Sequence, residues 1–379
     1  MAVTDVLIVG AGPVGLYLGA LLLQNGVTVR ILERRTARSA HTRAIGIHPP
    51  ALAALDRIGA ADPLIDRGIR IRHGHAVWAG RDIANMPFAP VSERYPFVLA
   101  VPQPVTEAVL EARVLELDGS ALLRGAEVTD MHDDGARVTV DAAVGGARRR
   151  FTGLIAVGAD GANSTVRQLL GVPAAAKRYP EHYLMGDFPE STAYGQDAAL
   201  FLEAGGIVES FPLPGAVRRW VVRLPDPPVD PDAHVLAGLV RERTGITVDA
   251  GGNSMLSSFG VRSRLAARMV AGRTALIGDA AHEISPIGGQ GMNLGWLDAA
   301  ALQPLILDAL QGRPVAAGLR CFDVSRRRAA GRARRQAEIN MALGRPLSCR
   351  PLRLRNGAVA RIAAVPALNT LIARRFTMQ

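Results

Sequence analysis

Three glycine-containing turns carry the residues that could do chemistry. In the first turn, Gly10, Gly12 and Gly15 have the G-x-G-x-x-G spacing. The first glycine permits a tight turn, the second lets a pyrophosphate approach the backbone, and the third lets a helix pack closely on a strand. Glu33 follows at the distance where a carboxylate can accept hydrogen bonds from an adenosine ribose. This turn predicts a dinucleotide site, without saying which dinucleotide it binds.

The third turn has a different chemistry. Asp279 follows an apolar run and can accept hydrogen bonds from ligand hydroxyls, while Pro286 lacks a backbone N–H. The glycine-rich stretch 288–291 then leads through Met292 and Asn293 into a predicted helix. A glycine loop before a helix presents backbone N–H groups and the positive end of the helix dipole. This arrangement suits a group that becomes negative during a reaction.

The elements that must position these turns are three fully apolar strands, predicted at 6–9, 154–157 and 274–277. Unbroken apolar runs are typical of parallel strands covered on both faces. Each strand runs into a glycine-containing turn, and ligands bind at the carboxyl ends of such strands. Pro13 suits the first turn of the helix after the first strand, and Gly26 suits its end.

The remaining sequence predicts a second, antiparallel sheet and a helical tail. Short β-like pieces separated by glycine and proline occupy much of 177–224, and an Asp-Asp-Gly turn inside 127–144 predicts a hairpin. The predicted division is a discontinuous nucleotide-binding domain at 1–70, 98–176 and 271–323, a substrate-binding sheet domain at 71–97 and 177–270, and a helical region at 324–379.

The net charge of +10 belongs to the end of the chain. Residues 313–379 contain fifteen arginines against two acidic residues, so the rest of the chain is slightly acidic. We interpret these arginines as solvated helix faces, with an anionic surface as the alternative partner. No nucleic-acid partner is predicted. Two cysteines cannot build a disulfide framework, which favours a reducing cytoplasm.

Two other patterns have competing interpretations. Residues 6–24 form a run of nineteen residues without a charge, long enough for a membrane helix or a signal peptide. Four glycines interrupt this run and an acid, Asp5, precedes it, so we favour the strand, turn and helix. His73 and His75 share one face of a predicted strand, but no third ligand is evident, and no metal site is predicted.

Taken together, the turns resemble those of the class A flavoprotein monooxygenases, the single-component aromatic hydroxylases whose type member is para-hydroxybenzoate hydroxylase. The matching motifs are the G-x-G-x-x-G unit with Glu33-Arg34, the stretch GADGANSTVR at 158–167, and GDAAH at 278–282 with its continuation at 286–294. The resemblance implies an α/β fold: a Rossmann-like FAD-binding domain with an inserted antiparallel substrate sheet and C-terminal helices.

The resemblance also implies roles for individual residues. Glu33 is similar to the ligand of the adenosine ribose, Arg43 to the arginine near the pyrophosphate and flavin, and Gln103 and Asp279 to ligands of the ribityl region. Asp160 and Arg167 lie in the motif that the family links to FAD and NAD(P)H. The implied cofactor-binding residues are Gly10, Gly12, Pro13, Val14, Gly15, Glu33, Arg34, Arg43, Gln103, Asp160, Arg167, Gly278, Asp279, Pro286, Gly289, Gly291, Met292 and Asn293, of which Pro286, Gly291, Met292 and Asn293 would lie at the reacting flavin ring.

The implied reaction is hydroxylation of an aromatic or polycyclic phenol, in bacterial secondary metabolism or aromatic catabolism. NAD(P)H reduces FAD, molecular oxygen gives a flavin C4a-hydroperoxide, and the phenol attacks the distal oxygen. No base that activates the phenol is identified. Tyr183, Met185, Phe211 and Trp220 are predicted either to line the substrate pocket or to belong to the core of the sheet.

Two alternatives stay open. The first is an enzyme of the same fold acting on an isoprenoid or quinone-pathway substrate at a membrane surface, which the basic tail would contact. The second is a flavoprotein that binds a ligand or partner without turnover. The sequence predicts a monomer or a homodimer.

Overall fold

A computed structural model describes residues 3–38, 44–227 and 230–379. The described strands are β1 Thr4–Val9, β2 Val29–Glu33, β3 Gly46–Ile47, β4 Ile69–Ile71, β5 His73–Trp78, β6 Arg81–Pro87, β7 Val98–Ala100, β8 Leu122–Arg124, β9 Ala126–Asp133, β10 Val138–Val144, β11 Ala147–Gly158, β12 Ala174–Pro189, β13 Ala198–Phe201, β14 Val208–Leu213, β15 Val217–Leu224, β16 Met255–Ala266, β17 Val270–Ala271, β18 Thr274–Leu276 and β19 His282–Glu283. The described α-helices are α1 Pro13–Leu23, α2 Pro49–Asp56, α3 Ala61–Ile65, α4 Gln103–Leu117, α5 Thr165–Leu169, α6 Ala233–Thr244, α7 Gln290–Leu310, α8 Ala316–Leu343, α9 Cys349–Ala363 and α10 Pro366–Phe376.

β1 lies at the centre of the first sheet. It pairs in parallel with β2 and with β11, and the parallel strands β8 and β18 extend the sheet on either side. The three predicted apolar strands are therefore neighbours, in the order β1, β11, β18. Val9 lies beside Gly158, and Gly158 lies beside Leu276, so the three glycine turns leave the sheet at one edge. The predicted hairpin is also present, as the antiparallel pair β9 and β10.

The second sheet has the order β19-β16-β12-β15-β14-β13-β5-β6. Its pairs are antiparallel except for the parallel pair of β13 and β5. Its strands come from 73–87 and 174–266, close to the stretches predicted for the sheet domain, and β19 joins them from the third glycine turn. The division into domains stays a prediction.

The two faces of this second sheet have different neighbours. Side chains alternate between the faces along each strand. One face packs against α6, where Leu184, Trp220 and Val222 meet Leu236 and Val240 in a buried cluster. The other face looks toward the carboxyl edge of the first sheet, and the space between them holds the candidate site.

The apolar run at 6–24 forms β1, the first glycine turn and α1 rather than one long helix. Both β1 and α1 are largely buried, which explains the lack of charge without a membrane. In the described residues, no single helix is long and apolar enough to cross a membrane. α9 and α10 pass the length and composition criteria only as a pair, which is bent by 102°.

A buried ionic cluster attaches the third turn to α7 and α8. The carboxylate of Asp298 accepts hydrogen bonds from His282 Nε2 at 2.5 Å, from the Gly278 backbone N–H at 3.1 Å and from Arg326 Nε at 2.7 Å. Burial alone would raise the pKa of Asp298, but His282 and Arg326 outweigh it and hold that pKa below its ordinary value. The cluster thus fixes the turn that contains Asp279.

Replacing Asp298 by asparagine should strongly destabilise the fold. The change leaves the buried His282 and the half-buried Arg326 without their anion, and breaking a buried pair typically costs about 3–5 kcal/mol. The urea midpoint of unfolding should fall clearly, as followed by far-UV circular dichroism.

The matched control is Asp308→Asn, which breaks the exposed ion pair between Asp308 and Arg313. Exposed pairs contribute at most about 1 kcal/mol. Equal urea midpoints for the two variants would contradict a special role for the Asp298 cluster.

Candidate active site

A cavity of about 900 Å³ lies between the two sheets. Its floor is the carboxyl edge of the first sheet, its wall is one face of the second sheet, and α9 and α10 close it from the side. The floor is lined at the three turns by Gly10, Gly12, Pro13, Val14, Glu33, Arg34, Gln103, Asp160, Asp279, Pro286, Gly289, Gly291 and Met292. Most of the predicted cofactor-binding residues therefore surround a single space.

The first turn depends on close backbone contacts. A Cβ on Gly10 would lie 2.5 Å from the Ala159 carbonyl oxygen, and a Cβ on Gly15 would lie 2.0 Å from the Gly10 carbonyl oxygen. Gly12 differs, because a Cβ there would meet no atom within 4 Å. Gly10 and Gly15 therefore allow the turn to pack closely on neighbouring backbone, whereas Gly12 leaves open space beside the backbone within the cavity.

Glu33 ends β2 with its carboxylate anchored in the groove. It accepts hydrogen bonds from the Ala11 N–H at 2.8 Å and from the Arg35 N–H and Nε at 3.0 and 2.9 Å. Burial alone would raise the pKa of Glu33, but these hydrogen bonds outweigh it and keep that pKa below its ordinary value. Glu33 is therefore an ionised acceptor with lone pairs left for a ligand hydroxyl.

The second turn separates its two predicted site residues. Asp160 lines the cavity, and its Oδ2 accepts a hydrogen bond from the Val166 N–H at 3.0 Å, while its buried Oδ1 has no partner among the described residues. Arg167 points away from the cavity. Its guanidinium donates to the carbonyl oxygens of Ala280 at 2.7 Å and Ala162 at 2.9 Å, so it ties the second turn to the third.

At the third turn, Asp279 faces the cavity. Its side chain is open to the cavity yet lies deep in the protein, and this depth raises the pKa of Asp279 to about 6. Pro286, Gly291 and Met292 line the same end of the cavity, where α7 begins. The N-cap of α7 is Gly289, with φ of 65° and no side-chain cap, so the helix presents its first N–H groups toward this space.

Asn293 and Gly278 support the third turn without lining the cavity. The Asn293 amide donates to the carbonyl oxygens of Gly46 at 2.9 Å and Gly289 at 2.7 Å, and accepts from the His48 N–H at 2.8 Å. Gly278 has φ of 59° and packs on Val14, so it joins the third turn to α1. Asn293 and Gly278 therefore hold the neighbouring residues of the third turn in place.

The structure places the residues predicted near the ribityl region and the pyrophosphate in different positions. Gln103 begins α4, lines the cavity and donates to Glu107 Oε1 at 2.8 Å. Arg34 is exposed at the rim of the same groove. Arg43 lies outside the described residues.

One row of side chains crosses the sheet wall. Met185 pairs with Val221, Val221 with Glu209, Glu209 with Leu200, and Leu200 with Ala76. All five line the cavity, and four of them are apolar. The wall is therefore an apolar surface with a single carboxylate in this row.

Among the predicted substrate contacts, Met185 and Phe211 line the cavity, whereas Tyr183 and Trp220 do not. Trp220 is adjacent to Val221 in the strand, so it points to the opposite face and stacks on Phe201 beneath α6, with ring centroids 5.9 Å apart. The structure thus assigns Trp220 to the core of the sheet.

Tyr183 lies on the same face of β12 as Met185, but it does not line the cavity. It is fully buried and stacks on Phe259, with ring centroids 5.5 Å apart, and Phe259 is the ring that lines the cavity. Tyr183 supports the wall rather than forming it.

Sequence reasoning missed two cavity residues. Burial raises the pKa of Glu209 to about 7 and lowers the pKa of His48 to about 4. A signal for Glu209 was present, because Ile207, Glu209 and Phe211 alternate along one predicted strand and so share a face. His48 has no such signal, since it precedes α2 and reaches the cavity only through tertiary contacts.

The C-terminal helices form part of the cavity surface. The lining residues of α9 and α10 include Val359, Ile362, Asn369, Ile372 and Phe376. Their attachment to the sheet includes a hydrogen bond from Asn369 Nδ2 to the Asn85 carbonyl oxygen at 2.8 Å. The arginine-rich region therefore forms part of the cavity wall, a role that its composition did not predict.

His73 and His75 are engaged with carboxylates. His75 Nδ1 lies 2.9 Å from Asp82, and both histidines lie within 3.4 Å of Asp197. In the described part of the chain, no group of three or more histidine, cysteine, aspartate or glutamate residues could hold a metal ion.

Comparison with known proteins decides the family. A family model described as an FAD binding domain matches residues 3–337. The chain belongs to the class A FAD-dependent aromatic monooxygenase family. The fold is the α/β architecture expected for that family. FAD is the cofactor.

A curated relative is 6-methylpretetramide 4-monooxygenase of Streptomyces rimosus, which is 32% identical over 315 residues. The match covers 81% of this chain but only 56% of the relative's length. Among solved structures, OxyS anhydrotetracycline hydroxylase from Streptomyces rimosus has a TM-score of 0.81 at 30% identity, covering 100% of this chain and 76% of that chain. The p-nitrophenol 4-monooxygenase PnpA from Pseudomonas putida has a TM-score of 0.89 at 24% identity, covering 99% and 98%, and supports the fold alone.

The residues of this chain fit FAD. Gly12 leaves open space in a cavity beside the first N–H groups of α1, a helix without a side-chain cap, which suits a pyrophosphate. Glu33 stands at one end of the groove for a ribose, and the Asp279 carboxylate faces the cavity at the other end. Asp160 Oδ1 is a further buried acceptor without a partner among the described residues.

A Gly12→Val variant should fold but lose FAD. The backbone of Gly12, with φ of −76° and ψ of 179°, suits any residue, so valine adds no backbone strain. Its side chain would instead fill the space that a pyrophosphate needs. Flavin released per chain after denaturation should fall at least about tenfold, with the circular dichroism spectrum preserved.

The volume-matched control is Gly238→Val on the exposed face of α6, where a Cβ also meets nothing within 4 Å. It should retain FAD. A yellow Gly12→Val protein with one FAD per chain would contradict the assignment of this turn.

The raised pKa of Glu209 predicts how the stability of the fold depends on pH. Its folded pKa of about 7 exceeds the ordinary 4.5, so the folded state holds its proton more tightly. Stability is therefore lost as pH rises from 4.5 through 7, by up to about 3 kcal/mol. Glu209→Gln removes this titration, and its melting temperature relative to wild type should be higher at pH 8 than at pH 5. The same difference at both pH values would contradict a buried, titrating Glu209.

Proposed function

We propose that this protein is an NAD(P)H-consuming, FAD-dependent monooxygenase that hydroxylates an aromatic or polycyclic phenol. The observation that carries the proposal is that one cavity joins the dinucleotide groove of the first sheet to an apolar pocket on the second sheet. A flavin and a small aromatic molecule bound in that space would share one enclosed volume.

Each wall of the cavity has a task in this proposal. The first turn and Glu33 would hold the adenosine half of FAD, and Asp279 would hold the ribityl chain. Pro286, Gly291 and Met292 line the end of the cavity where α7 begins, so they would hold the reacting ring, and the N-terminus of α7 would stabilise negative charge there. When bound, FAD supplies the redox chemistry, because it accepts electrons from NAD(P)H and activates molecular oxygen.

The apolar wall and the C-terminal helices exclude water and hold the aromatic ring. Phe211, Met185 and Leu200 offer apolar surface from the sheet, and Ile372 and Phe376 offer it from α10. A closed, apolar site protects a reactive intermediate from hydrolysis. The described residues contain one parallel sheet with a G-x-G-x-x-G turn, so we infer that NAD(P)H binds transiently without a second nucleotide-binding fold. The oxygen-transfer route and a cytoplasmic location stay predictions.

The test uses the purified, FAD-loaded protein with NADH or NADPH and a panel of phenols from one to four rings. A hydroxylase should oxidise NAD(P)H faster with at least one phenol than without, by about tenfold or more if binding of the phenol triggers reduction. Oxygen consumption and a hydroxylated product, detected by mass spectrometry, should match the NAD(P)H consumed.

The Gly12→Val protein serves as the negative control in the same assay. No stimulation across the whole panel would favour a flavoprotein that binds without turnover. Stimulation only by an isoprenoid quinol in vesicles would favour the membrane-surface alternative. In that case the exposed Leu354, Leu368 and Leu371 of α9 and α10 would be the apolar side chains that contact the membrane.

A further inference from the structure

Glu209 is a carboxylate placed in an otherwise apolar part of the cavity. It lies on β14, and its neighbours in the row across the sheet are Val221 and Leu200. Along the strand, Ile207 and Phe211 lie two residues away on the same face, and both line the cavity. No charge or hydrogen bond among the described residues offsets the effect of burial on Glu209. Among the described residues, Glu209 therefore has no hydrogen-bond partner, and it faces the space where a ligand would lie.

The charges elsewhere on the cavity surface restrict which ligand can lie there. The described arginines that line the cavity are Arg34 and Arg35, both beside Glu33 in the adenosine groove. From the second sheet and the C-terminal helices, no described lysine or arginine lines it. A substrate with a carboxylate would therefore meet Glu209 without a cation among the described lining residues of the second sheet or the C-terminal helices to balance its charge.

Other titratable groups surround Glu209. On β12, burial raises the pKa of Tyr183, which stays neutral. On β15, Arg223 lies two residues from Val221 and so shares the face of Glu209, but it does not line the cavity. The remaining titratable lining residues of the pocket region are His75, Glu283, His48 and Asp279. Of these, His48 has a lowered pKa of about 4 and Asp279 a raised pKa of about 6, both through burial. These groups flank the cavity from other elements, whereas Glu209 stands within the apolar row.

We propose that Glu209 accepts the hydrogen bond of the substrate's phenolic hydroxyl and takes its proton, so that the cavity selects neutral phenols over phenols that carry a carboxylate. This inference rests on the proposed function. In the step, the phenolic O–H bond breaks and an O–H bond forms on the Glu209 carboxylate. The electron pair left on the phenolate oxygen makes the ring more nucleophilic, and the proton returns to the product. No oxidant is consumed in this transfer.

The acid–base properties fit this role. A general base works best when its pKa lies near the working pH, and burial brings the pKa of Glu209 to about 7. An uncharged phenol also avoids placing a second anion beside Glu209. The same carboxylate thus sets the choice of substrate and its activation.

The test compares wild type with Glu209→Gln, both as full-length FAD-loaded protein. The probes are 1-naphthol and its carboxylated counterpart 4-hydroxy-1-naphthoate. Titration of each probe into the protein at pH 8, followed by the visible spectrum of the bound flavin, gives both dissociation constants without turnover. Wild type should bind 1-naphthol about tenfold or more tightly than the naphthoate, and Glu209→Gln should lose most of that preference.

The pH profile gives a second, independent readout. In wild type, the rate of naphthol-stimulated NAD(P)H oxidation should fall below pH 7 as Glu209 becomes protonated. In Glu209→Gln, this rate should be lower and should lack that fall, which we call the acidic limb of the pH profile. Phe211→Leu is the matched control, because Phe211 lies two residues along the same strand on the same face. Phe211→Leu should weaken the binding of both probes by a similar factor and should retain the acidic limb of the pH profile.

The outcomes separate this inference from the proposed function. A preference for 1-naphthol that depends on Glu209, without NAD(P)H oxidation, would support Glu209 as the hydroxyl acceptor and contradict the monooxygenase proposal. Turnover by wild type with an unchanged preference and pH limb in Glu209→Gln would overturn the role of Glu209 alone. Failure of wild type to bind 1-naphthol, or equal binding of the naphthoate, would also overturn it. Glu209→Ala repeats the comparison if the glutamine variant does not retain FAD.

Discussion

The site depends on the close packing of three glycine turns at one sheet edge. Gly10 lies so near the Ala159 carbonyl that a Cβ would approach it to 2.5 Å, and a Cβ on Gly15 would approach the Gly10 carbonyl to 2.0 Å. Gly278 has φ of 59° and packs on the Val14 side chain, where a Cβ would lie 3.2 Å from Cγ2, and this contact joins the third turn to α1. Side chains at these positions would push the turns apart, so the glycines bring distant parts of the chain to a single groove. The buried Asp298 cluster then holds the third turn from behind.

The second sheet covers this groove and makes it a deep cavity. Its alternation puts an apolar row with Glu209 toward the groove, and puts Trp220 into the core beneath α6. α9 and α10 complete the enclosure, so the substrate region is apolar on several sides and carries few charges. Low polarity strengthens each charge that remains, which is why one carboxylate can decide between neutral and anionic ligands.

Much of the fold could be predicted from the sequence because its signals are local. Glycine spacing, three apolar strands and the Asp-Asp-Gly hairpin each need only a short stretch, and all three appear in the structure. The face on which Trp220 lies could not be predicted, because it depends on strand register across the sheet. The place of α9 and α10 over the cavity depends on contacts such as Asn369 with Asn85, which are far apart in sequence. The roles of the site residues stay predictions until a ligand is bound.

The most direct test of the central claim is the origin of the oxygen atom in the product. The FAD-loaded protein would be given NAD(P)H, the phenol that most stimulates NAD(P)H oxidation, and oxygen gas labelled with oxygen-18. A monooxygenase inserts one atom of molecular oxygen, so mass spectrometry should show one labelled atom in each hydroxylated product. A product whose new oxygen comes from water, or an unchanged phenol, would contradict the account.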